Sequence, residues 1–195
     1  MPSNLHLPTS IYTPHMQAIV SAVDDPHREL IENIWGGLKA VFGFKQLAGA
    51  TAPHFIYQSA ERYDPDLTDA VLSRIASATP AFTITTGAVG VLRGPRCVLY
   101  LPVLAGDALD CLHSALWQAV APLGAGVRQA YAAETWAPHI TLAVSPIDDA
   151  QMPRVLRFLE ARDTRWTLPV TNLCFVPDTS SNTVPWQRYP LATAG

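Results

Sequence analysis

Two histidines stand in nearly the same local sequence. Trp136-Ala137-Pro138-His139-Ile140-Thr141-Leu142-Ala143-Val144 reads as a short strand entered through a proline, a residue tolerated at the start of a strand and costly in its middle. Thr51-Ala52-Pro53-His54-Phe55-Ile56-Tyr57-Gln58-Ser59 carries the same Ala-Pro-His-apolar pattern earlier in the chain. Side chains alternate along a strand, so His139 and Thr141 share one face, and His54, Ile56 and Gln58 share another. An imidazole gains or loses a proton near neutrality, and a neighbouring hydroxyl can donate a hydrogen bond to an anion. If the two strands are equivalent parts of two similar halves, the rings meet over one cleft. There a neutral imidazole can take a proton from water while a charged one gives a proton to a leaving sugar oxygen. Pro-His also occurs at Pro14-His15 and Pro26-His27, so the dipeptide alone carries no signal and the longer match does.

The paired motifs, one per half of an α+β domain of about this length, resemble the 2H phosphoesterase superfamily, which includes the 2′-5′ RNA ligases and the cyclic nucleotide phosphodiesterases. His139-Ile140-Thr141-Leu142 matches the H-x-[ST]-x pattern of that family in full, whereas His54-Phe55-Ile56-Tyr57 matches at its histidine and has Ile56 in the hydroxyl position. The resemblance implies an α+β fold of two similar lobes, largely antiparallel sheets flanking a central cleft, and helices on the outer faces. It implies a metal-independent phosphoesterase, without a cofactor, that hydrolyses a cyclic phosphate or a 2′-linked phosphodiester of a nucleotide or RNA end. His54 and His139 would be catalytic, and Thr141 would hold the phosphate.

Ile56 is the departure. Its alkyl group suits the strand but takes a donor from the phosphate. Gln58 could substitute from further along the strand, or a bulge could swing Tyr57 inward, while Trp136 and Tyr131 could stack on a base. Three possibilities follow from the motif: an asymmetric but active site, a different anion geometry, or a nucleotide- or RNA-end-binding module without catalysis. A structural protein with coincidental Pro-His repeats is a further reading.

Other chemistries lack their signatures. There is no HExxH or Cys/His cluster for a metal, no GxSxG elbow for a serine nucleophile, and no GxGxxG or P-loop. His113, among Leu112 and Leu116, reads as a helix flank, and His27 as part of a first helical turn. Trp186 could also stack on a base, though a single aromatic near a loop is more often core or rim, and Arg128 and Arg188 are candidate phosphate partners for which a solvated surface role is the commoner one. A net charge of −3 argues against a protein that grips long nucleic acid through its phosphates. Three widely spaced cysteines without CxxC point to a reducing compartment. Residues 1–14 lack a basic start followed by an apolar run, and no apolar segment approaches the ~20 residues of a membrane helix. A cytoplasmic monomer without a membrane partner is the expectation.

The elements that must position the histidines follow from pattern. At 195 residues, 49% hydrophobic and 15% charged, one domain spanning 1–195 with a real core is expected. Gln17 to Val23 reads as a first strand. Asp25 would cap a helix opened by Pro26, with Leu30, Ile31, Ile34, Trp35, Leu38, Val41 and Phe42 as its buried stripe, Gly36-Gly37 as a close contact with the sheet, and Gly43 as its end. Asp64-Pro65 starts another helix with Leu67, Ala70, Val71 and Ile75 inward. Phe82–Thr86 is a strand. Val91-Leu92 and Cys97–Leu101 form a hairpin, with Pro102 at its end. Asp107 would cap a helix burying Leu109, Leu112, Leu116, Trp117 and Val120, and Asp148 leads one burying Met152, Val155, Leu156 and Leu159. Strands within 166–170 and 173–176 close the fold, with 178–195 as a tail or closing loop. Each half thus runs helix, histidine strand, helix, strand, which is the order of an antiparallel α+β protein.

Overall fold

The structure is a computed structural model that describes residues 15–44, 52–104, 106–181 and 183–193. In chain order the elements are β1 (Gln17–Ala22), α1 (His27–Phe42), β2 (His54–Ala60), β3 (Arg62–Tyr63), α2 (Pro65–Ala78), β4 (Phe82–Thr86), β5 (Gly90–Leu92), β6 (Cys97–Leu104), α3 (Asp107–Val120), β7 (Gly124–Ala125), β8 (His139–Ser145), α4 (Met152–Glu160), β9 (Thr167–Val170), β10 (Asn172–Val176) and β11 (Gln187–Pro190). This is an α+β fold, and every pairing between these strands is antiparallel.

Two sheets carry the histidines. The first runs β11-β10-β1-β2, so the His54 strand is its edge. In the second, β6 has β8 along one side and β5 then β4 along the other, with β9 beyond β4. The His139 strand is therefore also an edge. Cross-packing joins the two sheets. Helix α1, which precedes β2 in sequence, lies against β8, and α3, which precedes β8, lies against β2. Each half thus lends a helix to the other half's histidine strand. One apolar core collects Ile31, Ile34 and Leu38 of α1, Leu109, Leu112 and Leu116 of α3, and the inward residues of both sheets.

Several local expectations are corrected. Asp25 does not cap α1; its carboxylate takes two bonds from Arg28, Nε at 3.0 Å and Nη2 at 2.9 Å, and Pro26 occupies the cap. Leu30 and Val41 are 43% and 56% exposed, because the buried stripe is the narrower line Ile31, Ile34, Leu38. Gly37 does mark a close contact, but with α4: a Cβ there would lie 2.6 Å from Cζ of Phe158, while Gly36 has nothing within 4 Å. Gly43 ends the helix at φ 69°, its N–H donating to the Lys39 carbonyl. Asp64 caps α2 through Leu67 N–H at 3.0 Å, yet the buried face is Thr68, Leu72 and Ala76, one position round from the expected stripe, so Leu67 is exposed and Val71 and Ile75 only flank the core. Gly106, not Asp107, is the cap of α3. Strand β6 continues through Pro102 to Leu104. Pro102 falls where the neighbour on that side changes from β5 to β4, a place where a missing N–H costs least. The expected tail is part of the fold. Gln187–Pro190 pairs with β10, and Gln187 and Tyr189 both bond Asp69 of α2.

Candidate active site

The strands β2 and β8 are built to the same plan. His54 lies opposite Ala22 and Ile56 opposite Val20, after which the register slips so that Gln58 faces Ile19. His139 lies opposite Pro102 and Thr141 opposite Tyr100, after which Ala143 faces Leu99. Each strand therefore carries a β-bulge at the same offset from its histidine, with Tyr57 and Leu142 as the extra residues. A bulge resets the alternation of faces. Before it, His54 and Ile56 share a face with a small apolar cluster of Ala18, Val20, Ala22, Cys174 and Val176. After it, Gln58 turns into the core beside Ile19 instead of staying beside His54.

The side-chain geometry of the two histidines also matches. Nδ1–H of His54 donates to the carbonyl of Ala52 at 2.9 Å, and Nδ1–H of His139 donates to the carbonyl of Ala137 at 2.7 Å. A carbonyl can only accept, so the proton sits on Nδ1 and the neutral ring presents its lone pair at Nε2. The residue two positions back in the Ala-Pro-His motif is the part that orients each ring. Both rings are partly exposed. An aromatic ring meets each of them edge-on, Trp186 against His54 with centroids 5.1 Å apart and Tyr100 against His139 at 5.4 Å.

Burial pulls the pKa of both imidazoles below the ordinary 6.5, opposed by the carbonyl each ring bonds. The charge of His139 lowers His54 further, so the two rings lie within electrostatic reach of each other. Such a pair resists a second proton. The repulsion disfavours two charged rings at once and leaves open the state with one neutral and one charged ring, the one an acid–base pair needs.

The remaining expected site residues divide. Thr141 stands on the face of His139, and its carbonyl accepts from Nε1 of Trp35 at 3.2 Å. Tyr57 and Gln58 do not join the site, because the bulge leaves both facing inward. Tyr57 is fully buried, 2.9 Å from Ser21 Oγ, and burial raises its pKa. Gln58 is fully buried and accepts from the Tyr63 hydroxyl at 3.1 Å. Tyr131 is buried, its carbonyl held by Nε2–H of His113 at 2.9 Å. Trp136 is not an open platform for a base: its ring lies flat on His113, centroids 3.8 Å apart and 3° from parallel, and its Nε1 donates to the Ile56 carbonyl at 2.8 Å. His113, expected on a helix flank, is 2% exposed.

Trp186, a candidate base-stacking ring with core or rim as its commoner role, lies beside His54. It packs with Ile56 against the apolar cluster, and its Nε1 is buried without a hydrogen-bond partner. The sequence signal for it was slight, one tryptophan before a polar stretch that turned out to be a strand. Arg188 bonds Asp24 at 2.6 Å. Burial opposes ionisation of Asp24, but bonds from Thr171, Arg188 and Asn172 and the Arg188 charge outweigh it, leaving its pKa low. Among the described residues, no group of three or more His, Cys, Asp or Glu side chains is placed to hold a metal ion, and no helix is long and apolar enough to cross a membrane.

Comparison with known proteins identifies the family and the fold. The family model described as the 2′-5′ RNA ligase superfamily matches residues 23–181. No curated protein sequence matches. Among solved structures, the TT0787 protein of Thermus thermophilus is similar over 92% of this chain and 100% of its own, at 16% identity and a TM-score of 0.59. LigT of Escherichia coli in its apo form is similar over 94% of this chain and 100% of its own, at 18% identity and a TM-score of 0.57. A protein described as a phosphoesterase gives 20% identity over 93% and 100% of the two chains, with a TM-score of 0.54. At such identities these likenesses establish the fold. LigT has also been crystallised with NADP+, 3′-AMP and ATP.

Proposed function

The chain belongs to the 2′-5′ RNA ligase superfamily, and from that premise we propose that it is a metal-independent phosphoesterase acting on a cyclic phosphate or 2′-linked phosphodiester of a nucleotide or RNA end. The observation that carries this reading is the matched pair of imidazoles, each with Nδ1 tied to the carbonyl two residues back and Nε2 left for chemistry. In the reaction the neutral ring takes a proton from water as its oxygen bonds to phosphorus. The bond from phosphorus to the sugar oxygen breaks, and the charged ring delivers its proton to that oxygen. The ring that began neutral ends charged and its partner ends neutral, and proton exchange with solvent restores the starting states before the next turnover. Thr141 donates to a phosphate oxygen. The nucleotides bound by LigT support the same substrate class here, and the acidic net charge favours a small ligand over long nucleic acid. A cytoplasmic monomer acting as a single domain is part of this proposal.

One observation favours a second reading, a binding module without turnover. Ile56 is packed into the apolar cluster with Trp186, so the first motif offers its anion no hydroxyl. Turnover of a 2′,3′-cyclic nucleotide in EDTA separates the two readings. The enzyme reading requires hydrolysis that His139→Ala removes. Binding of 3′-AMP by the wild type with no turnover of any 2′,3′-cyclic nucleotide or 2′-5′ dinucleotide would establish the module instead.

A further inference from the structure

The free edges of β2 and β8 are closed by tryptophans that cross between the halves. Trp136 comes from the segment leading into β8, three residues before His139, and donates its indole N–H to the carbonyl of Ile56, two residues after His54. Trp35 comes from α1, in the first half of the chain, and donates its indole N–H to the carbonyl of Thr141, two residues after His139. The accepting positions are equivalent in the two motifs, and both lie next to the bulge. Among the described residues no ladder joins β2 to β8, and each pairs with its own inner neighbour alone. An edge carbonyl would otherwise need another partner, and here each receives a donor from the opposite half.

The Trp136 arm is itself braced. His113 of α3 lies flat beneath the indole and donates Nε2–H to the Tyr131 carbonyl. Trp136 also stacks on the Tyr57 ring, with centroids 5.8 Å apart. Helix α3, the segment before β8 and the bulge of β2 thus form one contact chain that ends beside His54.

We propose that Trp35 and Trp136 form a reciprocal indole clamp that sets the spacing of His54 and His139, with His113 as the positioning residue that fixes the Trp136 arm. None of the three touches the reacting atoms in this scheme. They act through the strands that carry the histidines. The inference deepens the phosphoesterase reading and rests on it for its effect on rate, but the spacing is measurable without turnover.

The test is a set of variants in the full chain: Trp136→Phe, Trp35→Phe, both together, and His113→Leu, with Trp166→Phe as a control that removes an indole away from both strands. Each is followed by NMR titration of the imidazole Cε1 protons and by kinetics on a 2′,3′-cyclic nucleotide. With the clamp open the rings separate and gain water, so the midpoints of His54 and His139 rise toward the ordinary 6.5, most in the double variant, while Trp166→Phe leaves them in place. In the kinetics kcat falls about tenfold in Trp136→Phe with KM nearly unchanged, the size expected for a sub-ångström misplacement of a catalytic group. If a variant does not fold, benzothienylalanine at position 136, which keeps the indole shape and replaces N–H with sulfur, gives the same titration. Unchanged midpoints in the folded double variant overturn the clamp, as does an equal shift in Trp166→Phe. A wild type that turns over nothing but whose midpoints respond sinks the enzyme reading and leaves the clamp standing. Turnover with unresponsive midpoints does the reverse.

Discussion

The two histidine strands are alike where the ring is aimed and different where the anion would be held. In both, an Ala-Pro-His turn supplies the carbonyl that takes Nδ1–H, and a bulge three residues past the histidine reverses the faces of the side chains after it. They part at the position two residues on. Thr141 offers a hydroxyl beside His139, while Ile56 offers only carbon and lies against Trp186 and the Val20–Cys174 cluster. What recurs in both motifs is the geometry of proton transfer. What occurs once is the donor to the phosphate. The difference suggests that the ring positions are required twice but anion binding is carried mainly by the β8 side.

The largest expected effect tests the likeness. His54→Ala and His139→Ala should each lower kcat by roughly 10²–10⁴-fold, the range of a lost acid–base group, since hydrolysis needs both a donor and an acceptor. Steady-state assays on a 2′,3′-cyclic nucleotide measure it. A loss confined to His139→Ala would mean that the first motif no longer takes part, and the two strands would then be alike only in form.

The next effect tests the difference. Thr141→Val removes the hydroxyl and keeps the shape, and should cost about 10²-fold in kcat, as loss of one donor to a developing negative charge does. Ile56→Thr should raise turnover severalfold by restoring a second donor, provided Trp186 leaves the new hydroxyl open to the phosphate. Unchanged or lower turnover in Ile56→Thr would mean that the apolar side is matched to its substrate.

Much of this comparison was legible in the sequence. The two Ala-Pro-His segments, their strand character and the mismatch at Ile56 can all be read from residue types and alternation. The antiparallel α+β class follows from the order of elements. What could not be read was the bulge. Alternation placed Gln58 beside Ile56, but one extra residue in the strand reverses every side chain after it, and nothing in Tyr57-Gln58 announces the extra residue. The place of Trp136 is hidden for a related reason, because the edge carbonyl it satisfies lies on a strand of the other half. The cross-packing of α1 and α3 is equally hidden, since apolar periodicity shows that a helix face is buried and not which sheet buries it. The strand at Gln187–Pro190 carries too little apolar alternation to be seen; its partner β10 and the bonds to Asp69 hold it in place.

A pH dependence shared by both strands is the third effect. Burial lowers the pKa of His54, His139 and His113 below 6.5, so the unfolded chain binds protons more readily than the folded one. Stability is full above pH 6.5 and falls as the pH drops below it toward the folded-state values. Thermal melts between pH 7.5 and about 5 should show the midpoint declining with acidification, and His113→Leu should flatten that decline. In the assay, the general acid loses its proton as the pH rises, so the rate should fall above pH 6.5. A rate that climbs through pH 8 would mean that neither ring serves as the acid.

The smallest effect concerns the rings that flank the imidazoles. Tyr100 lies over Gly90, its partner across the β5–β6 pair, and a Cβ on Gly90 would meet Cζ of Tyr100 at 2.3 Å. The glycine is therefore what lets the tyrosine ring lie flat and present itself to His139. Gly90→Ala would push the ring aside. The atom met is the far end of a side chain, so the ring can yield, and the cost in stability should stay within about 1 kcal/mol, near the low end for overpacking. The displaced ring also exposes His139 to water, which raises its pKa toward 6.5 by relieving the burial that depresses it. The fall in rate at high pH should move upward accordingly, with kcat at its optimum changed by only a fewfold. Trp186 supplies the contrast: it reaches His54 from the segment before β11, and no glycine among the described residues has Trp186 as a near neighbour, so Trp186→Ala should shift the His54 titration and leave that of His139 in place. If Gly90→Ala and Trp186→Ala shift both imidazoles equally, the flanking rings belong to one shared shell, and the asymmetry of the two strands ends at Ile56 and Thr141.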